Sequence, residues 1–248
     1  MAVLPLWAIE QHGPHLAVST DSAIITWIAE TAEKKLFKEM VLCPTQSFGS
    51  SHHHLKYPGT MSLAPELYTR LIIDLIKSLT QGGFRRIILL NGHGGNITPV
   101  RQALSVLGHE LDDTVHPNIA LATYWEMPGK TFAGEPPLES PALSHACEYE
   151  TSVMLYLYPE RVNMKKAKRF KRPPSNGYVS WEDEEGYRGV SMFKCTHFIS
   201  DLGGSGAPQL ATRTKGKYLT QKSVETVIEF VRSFKKWPLM KDLRHGKK

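Results

Sequence analysis

The chain has 248 residues, 41% hydrophobic and 22% charged, a balance that excludes a disordered polymer and is sufficient for one large domain with a buried core. Thirty Lys and Arg against 24 Asp and Glu leave a net charge of +6, and no apolar run reaches the roughly 18–20 residues of a membrane helix. Three scattered cysteines, at 43, 147 and 195, exclude a disulfide framework or a thiolate zinc site and predict a reducing, cytoplasmic setting.

Residues 2–9, AVLPLWAI, read as a short buried strand, with Pro5 better suited to an edge. Pro5 and Glu10 also interrupt the apolar stretch that a signal peptide would need. A helix follows over 20–39, opened by Thr20 and Asp21 as capping residues, with Ala23, Ile24, Trp27, Ile28 and Ala32 at helical spacing. MVLCPT at 40–45 is a second strand. Residues 63–83 form a strong helix pattern, with Pro65 in the first turn, Leu67, Leu71, Leu75 and Leu79 four apart, and Gly82 and Gly83 as the stop. RIILLN at 86–91 is continuously apolar, as a strand covered on both faces should be. A helix over 96–111, a strand over 118–124, and helices over 148–158 and 217–237 complete the pattern. Strand and helix alternate, which predicts a single α/β domain over 1–248 with a mainly parallel sheet and helices on both faces. Residues 159–217 are rich in Pro, Gly and charge and read as an irregular excursion, and 238–248 as a basic tail.

Chemistry-bearing residues cluster where strands end. Glu10 and His12 follow the first strand two apart, so in an extended chain both side chains point the same way. Asp21 stands at the start of the next helix, where the dipole tolerates a carboxylate. NGHGGN at 91–96 leaves His93 with little steric cover among three glycines, and matches neither dinucleotide nor phosphate loops. SHACEYETS at 144–152 adds His145, Glu148 and Glu150 before a helix. Glu10, His12, Asp21, His93 and either Glu148 or Glu150 form an imidazole and carboxylate set suited to Zn, Mn or Fe. Its three carboxylates offset most of the charge on two divalent ions and far exceed what one needs, so a metal pair with a bridging hydroxide follows, with Asp21 as the bridging carboxylate.

EQHGPHLAVSTD, YPGTMSL, NGHGGN and HACEYETS, in this order and spacing, resemble the creatininase (creatinine amidohydrolase) family from residue 2 to about 158, and more faintly through GAPQLATRTKGKYL. The resemblance implies an α/β fold, a dinuclear metal site at the strand ends, hydrolysis of a non-peptide C–N bond, and a homo-oligomer, commonly a hexamer. It carries the metal-ligand role to Glu10, His12, Asp21 and His93, and the catalytic role to His145. Creatininases proper place a ligand Glu where this chain has Gly95, and Glu148 is the expected replacement. They also place a Trp and a Glu where this chain has Pro141 and Ser144, so the metal core is kept and the creatinine pocket is not. Related members include formamide hydrolases and a peptide-trimming protease.

The sequence therefore predicts a dinuclear metal amidohydrolase acting on a small amide, such as a cyclic amide or a formamide, with trimming of a short peptide as the alternative. His145 would protonate the leaving nitrogen, and Glu150 would orient His145 or complete the second metal's shell. His53 and His54, in HHHLKYPGT, are the candidate substrate contacts, and His15 a residue that holds its turn. KKAKRFKR at 165–172 raises a reading from another class, a basic nucleic-acid-binding protein, but it gives no reason for the strand-end cluster, so nucleic acid is not the expected partner.

Overall fold

The computed structural model describes residues 1–111, 116–127, 138–140, 143–174, 176, 178 and 195–241. Pro141, residues 179–194 of the excursion and 242–248 of the tail lie outside the described residues.

Four strands, β1 (Ala2–Leu6), β2 (Val41–Leu42), β3 (Arg86–Asn91) and β4 (Asn118–Thr123), form an all-parallel sheet in the order β2-β1-β3-β4. The helices are α1 (Thr20–Leu36), α2 (Pro65–Gln81), α3 (Ile97–Glu110), α4 (Glu148–Leu157), the single turn α5 (Thr196–Ile199) and α6 (Arg213–Lys236). Successive side chains of a strand point to opposite faces, and β3 shows the result: Ile88 and Leu90 pack with α1, α4 and α6, while Ile87 and Leu89 pack with α2 and α3. The α/β expectation of a parallel sheet covered on both faces is therefore correct. Among the described residues no helix is long and apolar enough to cross a membrane.

Two local expectations change. The second strand is only two residues long, although the chain stays beside β1, where the Cys43 and Gln46 N–H groups donate to the Val3 and Pro5 carbonyls. Pro5 sits in β1 between two neighbours rather than on an edge, paired in register with Leu90. Its carbonyl accepts from the Gln46 N–H at 2.9 Å, so its missing donor faces the side where β2 has already ended and no ladder bond is lost.

The strand order positions the site. From β1 the chain goes one way to β2 and then crosses back to β3 on the other side, so β1 and β3 part at a topological switch point. The crevice beyond their carboxyl ends is where parallel α/β sheets bind ligands.

Candidate metal centre

The carboxyl end of β1 leads directly into Glu10 and His12, and the turn that follows returns Asp21 to the same place in the first turn of α1. The carboxyl end of β3 delivers His93. Two asparagines hold that loop: Asn91 accepts from the His93 N–H and donates to its carbonyl, and Asn96 Oδ1 accepts from the Ser50 N–H at 2.9 Å. From the far side, the turn before α4 brings His145 and Glu150. Ala146 between them has φ 53°, the only left-handed non-glycine among the described residues, a cost accepted where a side chain must be aimed.

The geometry centres on Asp21. Its Oδ1 lies 2.9 Å from His12 Nε2, and its Oδ2 lies 3.1 Å from His93 Nδ1. Glu10 Oε1 is 3.3 Å from His93 Nδ1 and 4.0 Å from His12 Nε2, and Glu150 Oε1 is 3.7 Å from His12 Nε2. Thus His93 and Glu10 stand on one side of Asp21, and His12 and Glu150 on the other. Both imidazoles are oriented by backbone carbonyls: His12 Nδ1–H donates to the Glu10 carbonyl at 3.2 Å, and His93 Nε2–H to the Ser50 carbonyl at 3.1 Å. In the neutral ring the remaining nitrogen of each is a lone pair facing Asp21, the arrangement by which proteins fix a metal-binding tautomer.

These groups are buried; Glu10, His12, Asp21 and His93 are 1%, 0%, 3% and 4% exposed. Yet His12 Nε2 and Asp21 Oδ2 make no hydrogen bond, although they have neighbours at ion-pair distance. Buried polar atoms are normally satisfied, so donor atoms that converge without pairing fit a cation bound between them. Burial opposes ionisation of Glu10, but the surrounding His93, His54 and His145 hold its carboxyl well below the usual range. Burial likewise opposes the imidazolium of His12, and Asp21 and Glu150 outweigh it and raise that residue. In His53 burial wins, pushing the ring down to about 3.

The structure does not bring Glu148 to this group. Two residues apart on a helix, Glu148 and Glu150 point about 200° apart, and Glu148 turns to α6. There its Oε1 accepts from Lys215 Nζ at 2.6 Å, and its Oε2 from the Ser140 N–H at 2.7 Å. Glu150 instead reaches His12 and His145, within ligand distance of both. Gly95, where creatininases proper have a ligand Glu, has no room for a side chain: a Cβ there would lie 2.2 Å from the Ser50 carbonyl and 2.5 Å from His93 Nε2.

His145 Nδ1 is 3.2 Å from Glu10 Oε1. His53 and His54 lie on a short turn, His52–His54, beside the cluster. The His53 ring stacks on His93 at 5.9 Å between centroids, and His54 Nε2 lies 3.8 Å from Glu10 Oε2. His15 is pinned to α4 by Thr151 Oγ1 at 2.9 Å. Sequence reasoning missed Ser51, whose hydroxyl donates to Glu10, and Gln11, which sits between two ligand residues and carries no chemical signal of its own.

The basic run has a structural part to play in this site. Ala167 and Phe170 are buried while Lys165, Lys166, Lys168 and Lys171 are exposed. Phe170 packs against the ligand turn and the 200–206 loop; a Cβ at Gly13 would lie 2.9 Å from its ring and one at Gly204 2.2 Å. Part of the run is therefore a wall behind the metal ligands.

Residues 1–231 match the family model for creatininase, described as creatinine amidohydrolase. The chain is 29% identical over 237 residues to the mycofactocin precursor peptide peptidase of Mycobacterium tuberculosis strain H37Rv, spanning 92% of this chain and 83% of that one. It is 26% identical over 250 residues to the creatinine amidohydrolase of Pseudomonas putida, spanning 93% and 88%. A solved structure described as "Creatininase Mn" superposes with a TM-score of 0.73 at 22% identity, covering 94% of this chain and 90% of that one.

Proposed function

The chain belongs to the creatininase family of metal-dependent amidohydrolases, and from that premise we propose that it hydrolyses an amide C–N bond at a two-metal site. Glu10 and His93 would hold one divalent ion, His12 and Glu150 the other, with Asp21 shared. The observation that carries this reading is the place of Asp21, with one oxygen toward each histidine and two buried donor atoms left without hydrogen bonds. Zn, Mn and Fe all suit an imidazole and carboxylate set.

Bound there, such ions supply a water acidified towards a pKa of about 7 and polarisation of the amide carbonyl. The chain's own groups do the rest. His145, 3.2 Å from Glu10, is placed to move a proton to the nitrogen as the C–N bond breaks. Glu150 accepts from the Ala146 N–H through one oxygen, at 2.5 Å, which leaves the other toward His12 and fixes the turn that carries His145. His53 and His54, on the short turn beside the cluster, would contact the substrate. Glu148 is assigned to support of α4 rather than to a metal.

The substrate is a small amide, a cyclic amide or a formamide in this reading. A second reading, removal of residues from a short peptide, is favoured by the peptide peptidase relative, which this chain matches over nearly its whole length. The protein is further proposed to act as one domain, in a homo-oligomer such as a hexamer, in the cytoplasm.

Elemental analysis of protein purified without chelator tests the core of the proposal. About two metals per chain, falling in Glu10→Ala, supports it; no metal and no uptake on adding Zn or Mn overturns it. Screening cyclic amides, formamides and short peptides for amine release by the metal-loaded protein then separates the two substrate readings.

A further inference from the structure

Gln11 lies between two ligand residues, yet its side chain takes no part in the ligand set. Its amide is fixed by two backbone groups of opposite character. Oε1 accepts from the Gly13 N–H at 2.8 Å, and Nε2 donates to the Gly203 carbonyl at 2.5 Å. An N–H can only donate and a carbonyl only accept, so the amide cannot be flipped without two buried clashes of like groups. Gly203 has φ +85°, and a Cβ there would lie 2.4 Å from Gln11 Oε1, so the loop closes directly onto this amide.

Two histidines read that fixed orientation. Gln11 Nε2 also lies 2.7 Å from His54 Nδ1. Because the amide nitrogen must be the donor, His54 Nδ1 must be the acceptor, and the proton of this ring sits on Nε2. That atom points toward the centre, 3.8 Å from Glu10 Oε2. The backbone carbonyl of Gln11 meanwhile accepts from His145 Nε2–H at 2.7 Å. The neutral His145 ring therefore keeps its lone pair on Nδ1, and this atom too faces the centre, 3.2 Å from Glu10 Oε1. The 3.3 Å approach of Gln11 Nε2 to His145 Nε2 needs no bond, since both amide protons already have acceptors.

We propose that Gln11 is a positioning residue that locks His54 and His145 in the same Nε2–H tautomer with opposite ring edges turned to the centre, so that the site faces its substrate with an N–H donor from one ring and a lone pair from the other. His54 Nε2–H is then the group that donates to the substrate carbonyl, while His145 Nδ1 takes and returns the proton. The use made of the two rings rests on the amide-hydrolase reading above; the tautomers rest on hydrogen bonds within this chain alone.

The test is nuclear magnetic resonance of protein labelled with 15N in histidine, in mildly alkaline solution, metal-free and zinc-loaded. The expected result is a pyrrole-type Nε2 in both rings, with a pyridine-type Nδ1 in His54 and in neutral His145. In Gln11→Glu the carboxylate accepts where the amide donated, and the His54 proton moves to Nδ1; Gln11→Leu, which neither donates nor accepts, leaves His54 as a mixture. A wild-type His54 with its proton on Nδ1, or an unaltered His54 pattern in Gln11→Glu, overturns the proposal. If Gln11→Glu does not fold, the wild-type tautomers alone decide. Metal content measured on the same samples separates the two ideas: protein that takes up no metal but shows the expected tautomers loses the hydrolase reading and keeps this one.

Discussion

Lys215 and Glu148 form an ion pair behind the metal centre, Nζ 2.6 Å from Oε1, with the carboxylate fully buried and the ammonium side chain 8% exposed. The pair joins α6 to the first turn of α4, two residues before Glu150. Glu139 and the Leu210 carbonyl accept the other ammonium protons, so the charge is well satisfied.

Removing Lys215 leaves the buried Glu148 carboxylate without its cation, whereas Lys215 without Glu148 still has Glu139. Lys215→Met is expected to cost roughly 3–5 kcal/mol of stability, read as a shift in the denaturant midpoint. Glu148→Gln should lose less, because the amide still offers an oxygen to Lys215, and its metal content should equal that of the wild type. A fall in metal content in Glu148→Gln with the fold intact would return Glu148 to the ligand set.

Substitutions around Asp21 should separate by metal stoichiometry. Asp21→Asn is expected to lose metal from both positions, and Glu150→Gln from one. His145→Ala should keep both metals and lose turnover by about 10²–10⁴-fold. Equal loss of metal in all three variants would merge these roles.

His15 supplies a pH-dependent effect. Burial, first, and then the neighbouring His12 and His145, push its imidazole down to about 4 from an ordinary 6.5. Above pH 6.5 folded and unfolded chains both carry it neutral, and it adds nothing. Between 6.5 and about 4 the unfolded chain takes up a proton that the fold refuses, so stability falls as the solution is acidified. The full effect is roughly 3 kcal/mol at about 1.4 kcal/mol per unit of pKa difference. His15→Gln keeps a partner for Thr151 and should lose stability less steeply over that window, measured by urea unfolding across a pH series. Parallel slopes for the two proteins would remove His15 as a cause.

At Gly95 the Ser50 carbonyl and the His93 ring leave no space for even one methyl group. Gly95→Ala is expected to force them apart and break the bond that orients His93, lowering zinc affinity by about 10- to 100-fold. Isothermal titration of metal-free protein with zinc checks this, and unchanged affinity would show that the loop yields.

Much of this was legible in the sequence where one segment carries the whole signal. The unbroken apolar run RIILLN gave a strand covered on both faces, and the spacing of Glu10 and His12 placed both at one strand end. The choice between Glu148 and Glu150 was not legible, because it depends on the rotational phase of α4. That phase is set by Lys215, 67 residues away, and by the turn at Ala146. Gln11 was invisible for a related reason: what it does depends on partners at 54, 145 and 203, and an amide side chain announces no chemistry by itself.

The donors grouped about Asp21 are spread unevenly along the chain. Glu10, His12, Asp21 and His93 all belong to the first 93 residues, just beyond two adjoining strands or at the start of α1, whereas Glu150 arrives 57 residues later on a helix packed against α1 and α6. A chain emerging from the ribosome therefore gathers one side of the centre early, with the shared carboxylate already present. The other side is completed only when α4 docks, a contact that spans more than half the molecule and is slow to close. Assembly of the centre thus has a built-in order, and its second half doubles as a report that the late part of the chain has found its place.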